Sequence, residues 1–170
     1  MKKMFLWMGV QLILTCFGLT CMAHPEATNC YVVSVTDGDS FKAIHNGKIV
    51  SCRLVSVDAP ELAQAFGLAA KDSLASLIGG KLVSMTILKD DRYGRLLVRL
   101  SEGGRDIQEH LVEKGMAWVY TGHANDRQLL ATEAEAQQQQ AGLWGCKRRV
   151  SPWQYRGLSK QAKKMFANCE

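Results

Sequence analysis

VTDGDSFKAIHNGKIVSCRLVSVDAPE, residues 35–61, alternates β-forming runs with breakers that mark where each strand stops. Asp37-Gly38-Asp39 is turn chemistry and ends a strand expected over Cys30 to Thr36. Ser40 to His45 resumes the extended pattern. Asn46-Gly47 is the two-residue signature of a type I′ hairpin, and Ile49 to Val57 is the returning strand. Pro60 cannot donate to a ladder and biases Ala59 away from helix, so Asp58 to Glu61 must be a loop. Carboxylates weaken strands and are seldom buried unless paired. Yet Asp37, Asp39, Asp58 and Glu61 collect at the ends of these strands, with Arg53 among them.

Downstream, GLAAKDSLASLI, residues 67–78, has helical spacing and stops at Gly79-Gly80. Val83 to Lys89 reads as a fourth strand, Asp90 to Arg95 as a polar turn, and Leu96 to Leu100 as a fifth strand. A short helix is expected over Asp106 to Lys114, ended by Gly115. A last helix, capped by Asn125 or Asp126, is expected to run to about Ala141. Its glutamine run reads as a solvated face. Five short strands with a helix after the third, and helices at the end, predict an α+β chain, mostly β. The architecture they fit is a five-stranded Greek-key barrel of the OB type with about three helices, a fold that leaves one face open to oligonucleotides or similar ligands. In that barrel strands one and three are expected to be neighbours, bringing the two acidic clusters to one end.

The organisation expected is a leader over residues 1–23, one barrel domain over 24–146 and a basic tail over 147–170, packed on the domain, with polyanion binding by CKRRVSPWQYR as the alternative. Met1-Lys2-Lys3 precedes an apolar stretch, and Cys21-Met22-Ala23 is a small-x-small cleavage signal before His24. The rival reading is an uncleaved anchor, since the stretch approaches the ~20 residues needed to span a bilayer. A bacterial protein of the periplasm or medium, free of the membrane once cleaved and monomeric, is expected. Without the leader, 19 basic residues face 16 acidic ones, a net charge of +3 that permits a polyanionic partner without demanding one. Cys30, Cys52, Cys146 and Cys169 remain, allowing up to two disulfides in three alternative pairings.

The acids and arginines together point to phosphoryl chemistry. Two carboxylates such as Asp39 and Asp58 repel unless a cation joins them, and an all-oxygen site suits Ca²⁺ or Mg²⁺ rather than zinc. A guanidinium fork matches phosphate oxygens, which Arg53 and Arg95 supply. Glu61 is then a carboxylate able to take a proton from water. Each piece has a plainer reading: a turn for DGD, a cross-strand pair for Arg53, a helix-start acid for Glu61, a hairpin tip for DRYGR. Their joint spacing favours the site.

That joint pattern resembles the thermonuclease, or staphylococcal nuclease-like, family. DGDS, RLVSVDAPE and DRYGRLLV are similar to the family's three motifs in order and spacing, and NDRQLLATEAEAQQQQAGLW to its last helix and closing tryptophan. The resemblance covers roughly Cys30 to Trp144. It implies Ca²⁺ held by Asp39, Asp58 and the Ala59 carbonyl, where the family often has threonine. It implies Glu61 as general base and Arg53 and Arg95 as phosphate-binding arginines. Asp37 matches an outer acid near the metal, and Ser40 stands where threonine is common. Tyr93 matches a tyrosine on a terminal phosphate, and Tyr120 one that stacks on a base, with Trp118 as its alternative. The activity implied is hydrolysis of DNA and RNA, single-stranded or frayed, with little sequence preference and with 5′-hydroxyl and 3′-phosphate products. The competing readings are a non-catalytic barrel that binds nucleic acid or a protein tail, and a structural envelope protein.

Overall fold

A computed structural model describes residues 26–120, 122 and 126–169. The expected leader, the choice between leader and anchor, and the candidate cap Asn125 lie outside the described residues. Strand β1 (Ala27–Val35) pairs antiparallel with β2 (Ser40–His45), which pairs with β3 (Lys48–Leu54) across the Asn46-Gly47 turn. Asn46 and Gly47 both take positive φ, at 49° and 73°, as a type I′ turn requires. Strand β4 (Val57–Asp58) follows β3 after a break, and helix α1 (Gly67–Ile78) follows the Pro60 loop. Strand β5 (Leu82–Asp90) then lies on the other side of β1, and β6 (Leu96–Glu102) pairs antiparallel with β5.

Parallel pairing of β6 with β3, Arg53 opposite Leu97, closes the sheet into a five-stranded barrel. Closure removes the free edges that an open sheet would present. Register irregularities between Val32 and Ser34 in β1 and between Ile87 and Lys89 in β5 fall where the strands bend to close. Next along the chain come a two-residue strand β7 (Arg105–Asp106) beside β6, helix α2 (Ile107–Glu113), strand β8 (Trp118–Val119) paired with β4, and helix α3 (Arg127–Gln138).

The core is the inward face of the barrel strands plus one stripe each of α1 and α2, with Leu129 of α3. Val32, Phe41, Ala43, Leu54, Met85, Val98 and Leu100 from the barrel meet Ala70, Leu74 and Ile78 of α1 and Ile107 and Leu111 of α2. In α1 the buried set is Gly67, Ala70, Leu74 and Ile78, three and four residues apart on one face. Gln108 of α2, fully buried, accepts from the Leu100 N–H at 3.1 Å and donates to the Val98 carbonyl at 3.3 Å, so it continues the ladder of β6. Arg99 of β6 pairs with Asp126 and, at 3.6 Å, with Asp106, the residues that cap α3 and α2.

Two expectations need correction. Strands one and three are not neighbours: β2 stands between β1 and β3, and the acidic ends meet through β2 and β3, where Ser40 faces Arg53. The third strand does not run unbroken to Val57. Ser56 takes φ 64°, a left-handed bend that splits it into β3 and β4. Of the two possible disulfides one is formed, Cys146–Cys169, while Cys30 and Cys52 are free thiols buried against Met85 Sδ.

Residues 147–169 pack against the domain. They form two short helices, α4 (Pro152–Gly157) and α5 (Lys160–Lys163), which cross the loop between β4 and α1. Gln64 donates to the Val150 carbonyl at 2.6 Å, Tyr155 Oη to the Ala63 carbonyl at 3.1 Å, and the Ala65 N–H to the Phe166 carbonyl at 2.7 Å.

Candidate active site

The turn before β2 and the short strand β4 each deliver one aspartate to the same end of the barrel. Asp39 and Asp58 are both 2% exposed, and one guanidinium lies between them. Arg53, from the end of β3, places Nη1 3.0 Å from Asp39 Oδ1 and Nη2 2.6 Å from Asp58 Oδ1. Asp39 also accepts from the Ala59 N–H at 2.9 Å and from Ser40 Oγ at 3.0 Å, and the Asp39 N–H donates to Asp37 Oδ1 at 3.1 Å. Burial pushes the Asp39 carboxyl well above the usual carboxylate range. Arg53 opposes that shift, and Asp37 and Asp58 add to it.

This close approach depends on Gly38. A Cβ there would stand 2.6 Å from Ala59 Cβ and 2.7 Å from Ala70 Cβ, so the acidic turn packs against both only because the side chain is missing. Gly67 does the same for the Glu61 loop, since a Cβ at that position would lie 2.0 Å from the Glu61 carbonyl oxygen. The DGDS and DAPE segments are thus held together by backbone contact as well as by charge.

A cleft of about 710 Å³ opens over the pair. Its walls bring together Asp37, Asp39, Arg53, Asp58, Ala59, Glu61, Tyr93, Arg95 and Tyr120, nine of the ten residues singled out from the sequence. Ser40 stands behind Asp39. Arg95 sits across the cleft in the 90–95 turn. Its Nε and Nη2 each lie 2.7 Å from Asp91 Oδ2, while the Asp91 carboxylate also accepts from the Tyr93 and Arg95 N–H groups. Tyr93 is 68% exposed, and the guanidinium groups of Arg92 and Arg95 lie 4.8 Å and 5.5 Å from its ring centroid. Tyr120 lies 5.7 Å, centroid to centroid, from Trp153. Trp118 is half-buried against Trp144 and Trp153, as a packing residue would be.

Arg156 and Ser56 are among the cleft residues that sequence reading did not single out. Arg156, from α4, places Nη2 2.7 Å from Asp58 Oδ2 and Nη1 2.8 Å from Glu61 Oε1. It is 98 residues from Asp58 in the chain, and no local spacing marks it out from its basic neighbours. Ser56 lines the cleft with a buried Oγ that has no hydrogen-bond partner among the described residues.

The donors present fit a hard cation. Asp39 and Asp58 bracket one cationic group, and carboxylates with a nearby backbone carbonyl make an oxygen-only set. Among the described residues no three His, Cys, Asp or Glu side chains stand together to hold a metal. A cation here would therefore complete its shell with backbone, water and substrate oxygens.

Comparison with known proteins adds an independent line. A family model described as "Staphylococcal nuclease homologue" matches residues 51–146. The chain is 40% identical over 126 residues to an "Uncharacterized endonuclease" of Escherichia coli, covering 74% of this chain and 82% of that one. It is 37% identical over 142 residues to a "Micrococcal nuclease" of Shigella flexneri, covering 77% and 82%. It is 33% identical over 149 residues to an "Uncharacterized endonuclease" of Haemophilus influenzae, covering 87% and 84%.

Proposed function

The chain belongs to the staphylococcal nuclease family of phosphodiester-hydrolysing enzymes, and from that premise we infer that it is an exported Ca²⁺-dependent endonuclease of low sequence specificity for DNA and RNA. The observation that carries this reading is the buried Asp39–Arg53–Asp58 arrangement at the base of the cleft with Glu61 beside it. Burying two carboxylates is costly without a compensating cation, and a site of this kind is more readily explained by phosphate and metal than by stability. Single-stranded or frayed substrate fits best, because the cleft offers guanidinium groups and tyrosine rings to a backbone and a base. The leader-like segment over residues 1–23 and the Cys146–Cys169 disulfide favour the periplasm or the medium, where disulfides persist.

In this mechanism Asp39, Asp58 and the Ala59 carbonyl would hold Ca²⁺. When bound, the ion supplies neutralisation of the charge that builds on the phosphoryl oxygens. Asp37 and Ser40 fix the orientation of Asp39 through the hydrogen bonds already described. Arg53 and Arg95 contact the non-bridging oxygens and stabilise the pentavalent arrangement at phosphorus. Glu61 takes a proton from water as the water oxygen bonds to phosphorus, and the 5′ oxygen leaves with a proton from solvent. Tyr93 meets a phosphate and Tyr120 a base. Glu61→Gln should keep Ca²⁺ affinity, read by calorimetric titration, while slowing strand hydrolysis about 10²-fold or more. Lost Ca²⁺ affinity at unimpaired folding would instead make Glu61 a ligand or the support of one.

A further inference from the structure

Arg156 is one of four arginines that line the cleft, with Arg53, Arg92 and Arg95. Its side chain is 45% exposed against 21% for Arg53. It meets Asp58 end-on, with Nη1 3.2 Å from Oδ1 and Nη2 2.7 Å from Oδ2, and Nη1 reaches Glu61 Oε1 at 2.8 Å. Its Nε–H makes no hydrogen bond among the described residues. An arginine has five donors in a planar fork, so the edge formed by Nε and Nη2 remains for an anion. Arg156 lines the same cleft as Tyr93, Arg95 and Tyr120.

The segment that brings Arg156 here does not hold itself. Helices α4 and α5 are six and four residues long, too short to be stable alone. The segment is fixed to the Glu61 loop by the contacts of Val150, Tyr155 and Phe166, and its far end is tied back to the barrel by the Cys146–Cys169 bond. Residues 147–169 also carry seven Lys and Arg and no Asp or Glu, so the strap adds positive charge at the mouth of the cleft.

We propose that Arg156 is a further phosphate-binding residue, which takes a backbone phosphate of the nucleic-acid strand on its free edge, and that the Cys146–Cys169 disulfide keeps it in the cleft. This rests on the nuclease reading of the same site. The strap is then part of the active site, and loss of the disulfide costs substrate affinity while the barrel stays folded.

The test compares wild type with Arg156→Ala, Arg156→Lys and the paired Cys146→Ser/Cys169→Ser variant. Affinity for a short single-stranded phosphorothioate oligodeoxynucleotide, which keeps the backbone charge and resists hydrolysis, is measured in Ca²⁺ over a series of salt concentrations. KM and kcat are measured separately on ordinary single-stranded DNA. Arg156→Ala should weaken binding about tenfold, as expected for a hydrogen bond to a charged group. It should also flatten the log–log salt slope by about 0.7, the value of one phosphate contact on a single strand, and raise KM more than it lowers kcat. Arg156→Lys should recover part of the salt slope. The cysteine variant should lose affinity similarly, with no further loss on adding Arg156→Ala. Unchanged affinity and slope in Arg156→Ala, or a fall in kcat alone, overturns phosphate binding by Arg156. Full affinity in the cysteine variant overturns the role of the disulfide. A wild-type protein that neither binds nor cleaves the strand overturns the nuclease reading itself, a result distinct from these.

Discussion

Arg53 carries more of the site than any other single side chain. It neutralises Asp39 and Asp58 when they are buried together, and it faces the cleft where a phosphate would lie. Arg53→Ala should therefore lower turnover about 10²–10³-fold, the usual loss for a preorganised donor aimed at developing charge. Arg53→Lys should restore little, because a point charge cannot bridge two carboxylates and a phosphate as a fork does. Steady-state hydrolysis of single-stranded DNA measures both, and near-normal turnover in Arg53→Ala would remove it from the mechanism. At this scale the sequence was highly legible. Asp39, Arg53, Asp58 and Glu61 lie within 23 consecutive residues, and short-range spacing carries the pattern. Arg156 was not legible, because its contact with Asp58 is made by the whole path of the chain and it sits among other basic residues.

The elements succeed or fail by their caps and their buried stripes. Leu74 is fully buried on the inner face of α1, the helix whose start pins the Gly38 turn and the Glu61 loop. Leu74→Ala should cost about 2–5 kcal/mol in chemical denaturation. A loss under about 1 kcal/mol would mean that α1 does not share the core of the barrel. Asp126 caps α3 through the Gln128 and Leu129 N–H groups at 3.2 Å and pairs with Arg99. Its modest burial acts to raise the carboxyl, but the Arg99 and backbone hydrogen bonds outweigh it and hold the group below the ordinary value. The sign follows. A depressed carboxylate stabilises the fold above its unfolded-state pKa near 4 and loses that contribution as pH falls through the folded value. Asp126→Ala should cost about 1 kcal/mol at neutral pH, and thermal melts of variant and wild type should converge below about pH 4. A gap that stays constant with pH would contradict the charge assignment. The strand order was only partly legible. Turn signals marked the Asp37–Asp39 break between β1 and β2 and the hairpin between β2 and β3, but the left-handed bend at Ser56 has no glycine or asparagine to announce it, so the end of β3 and the break before β4 were hidden.

At the scale of the molecule, closure of the barrel and the crossing strap bring chain segments from both ends of the sequence to one cleft. The barrel follows from local strand and turn chemistry, which is why its class could be read. The pairing of Cys146 with Cys169 depends on the route of the strap over the 59–66 loop, and four cysteines leave three pairings open in the sequence. The central claim is that the acids of this cleft act with a cation to hydrolyse phosphodiesters. The most direct measurement incubates the purified chain from His24 with single-stranded DNA in Ca²⁺ and in excess chelator, beside an Asp39→Ala variant. Degradation that requires Ca²⁺ and is lost in Asp39→Ala is the predicted result. Binding of the strand without cleavage in Ca²⁺ would contradict it and leave a barrel that holds nucleic acid but does no chemistry on it.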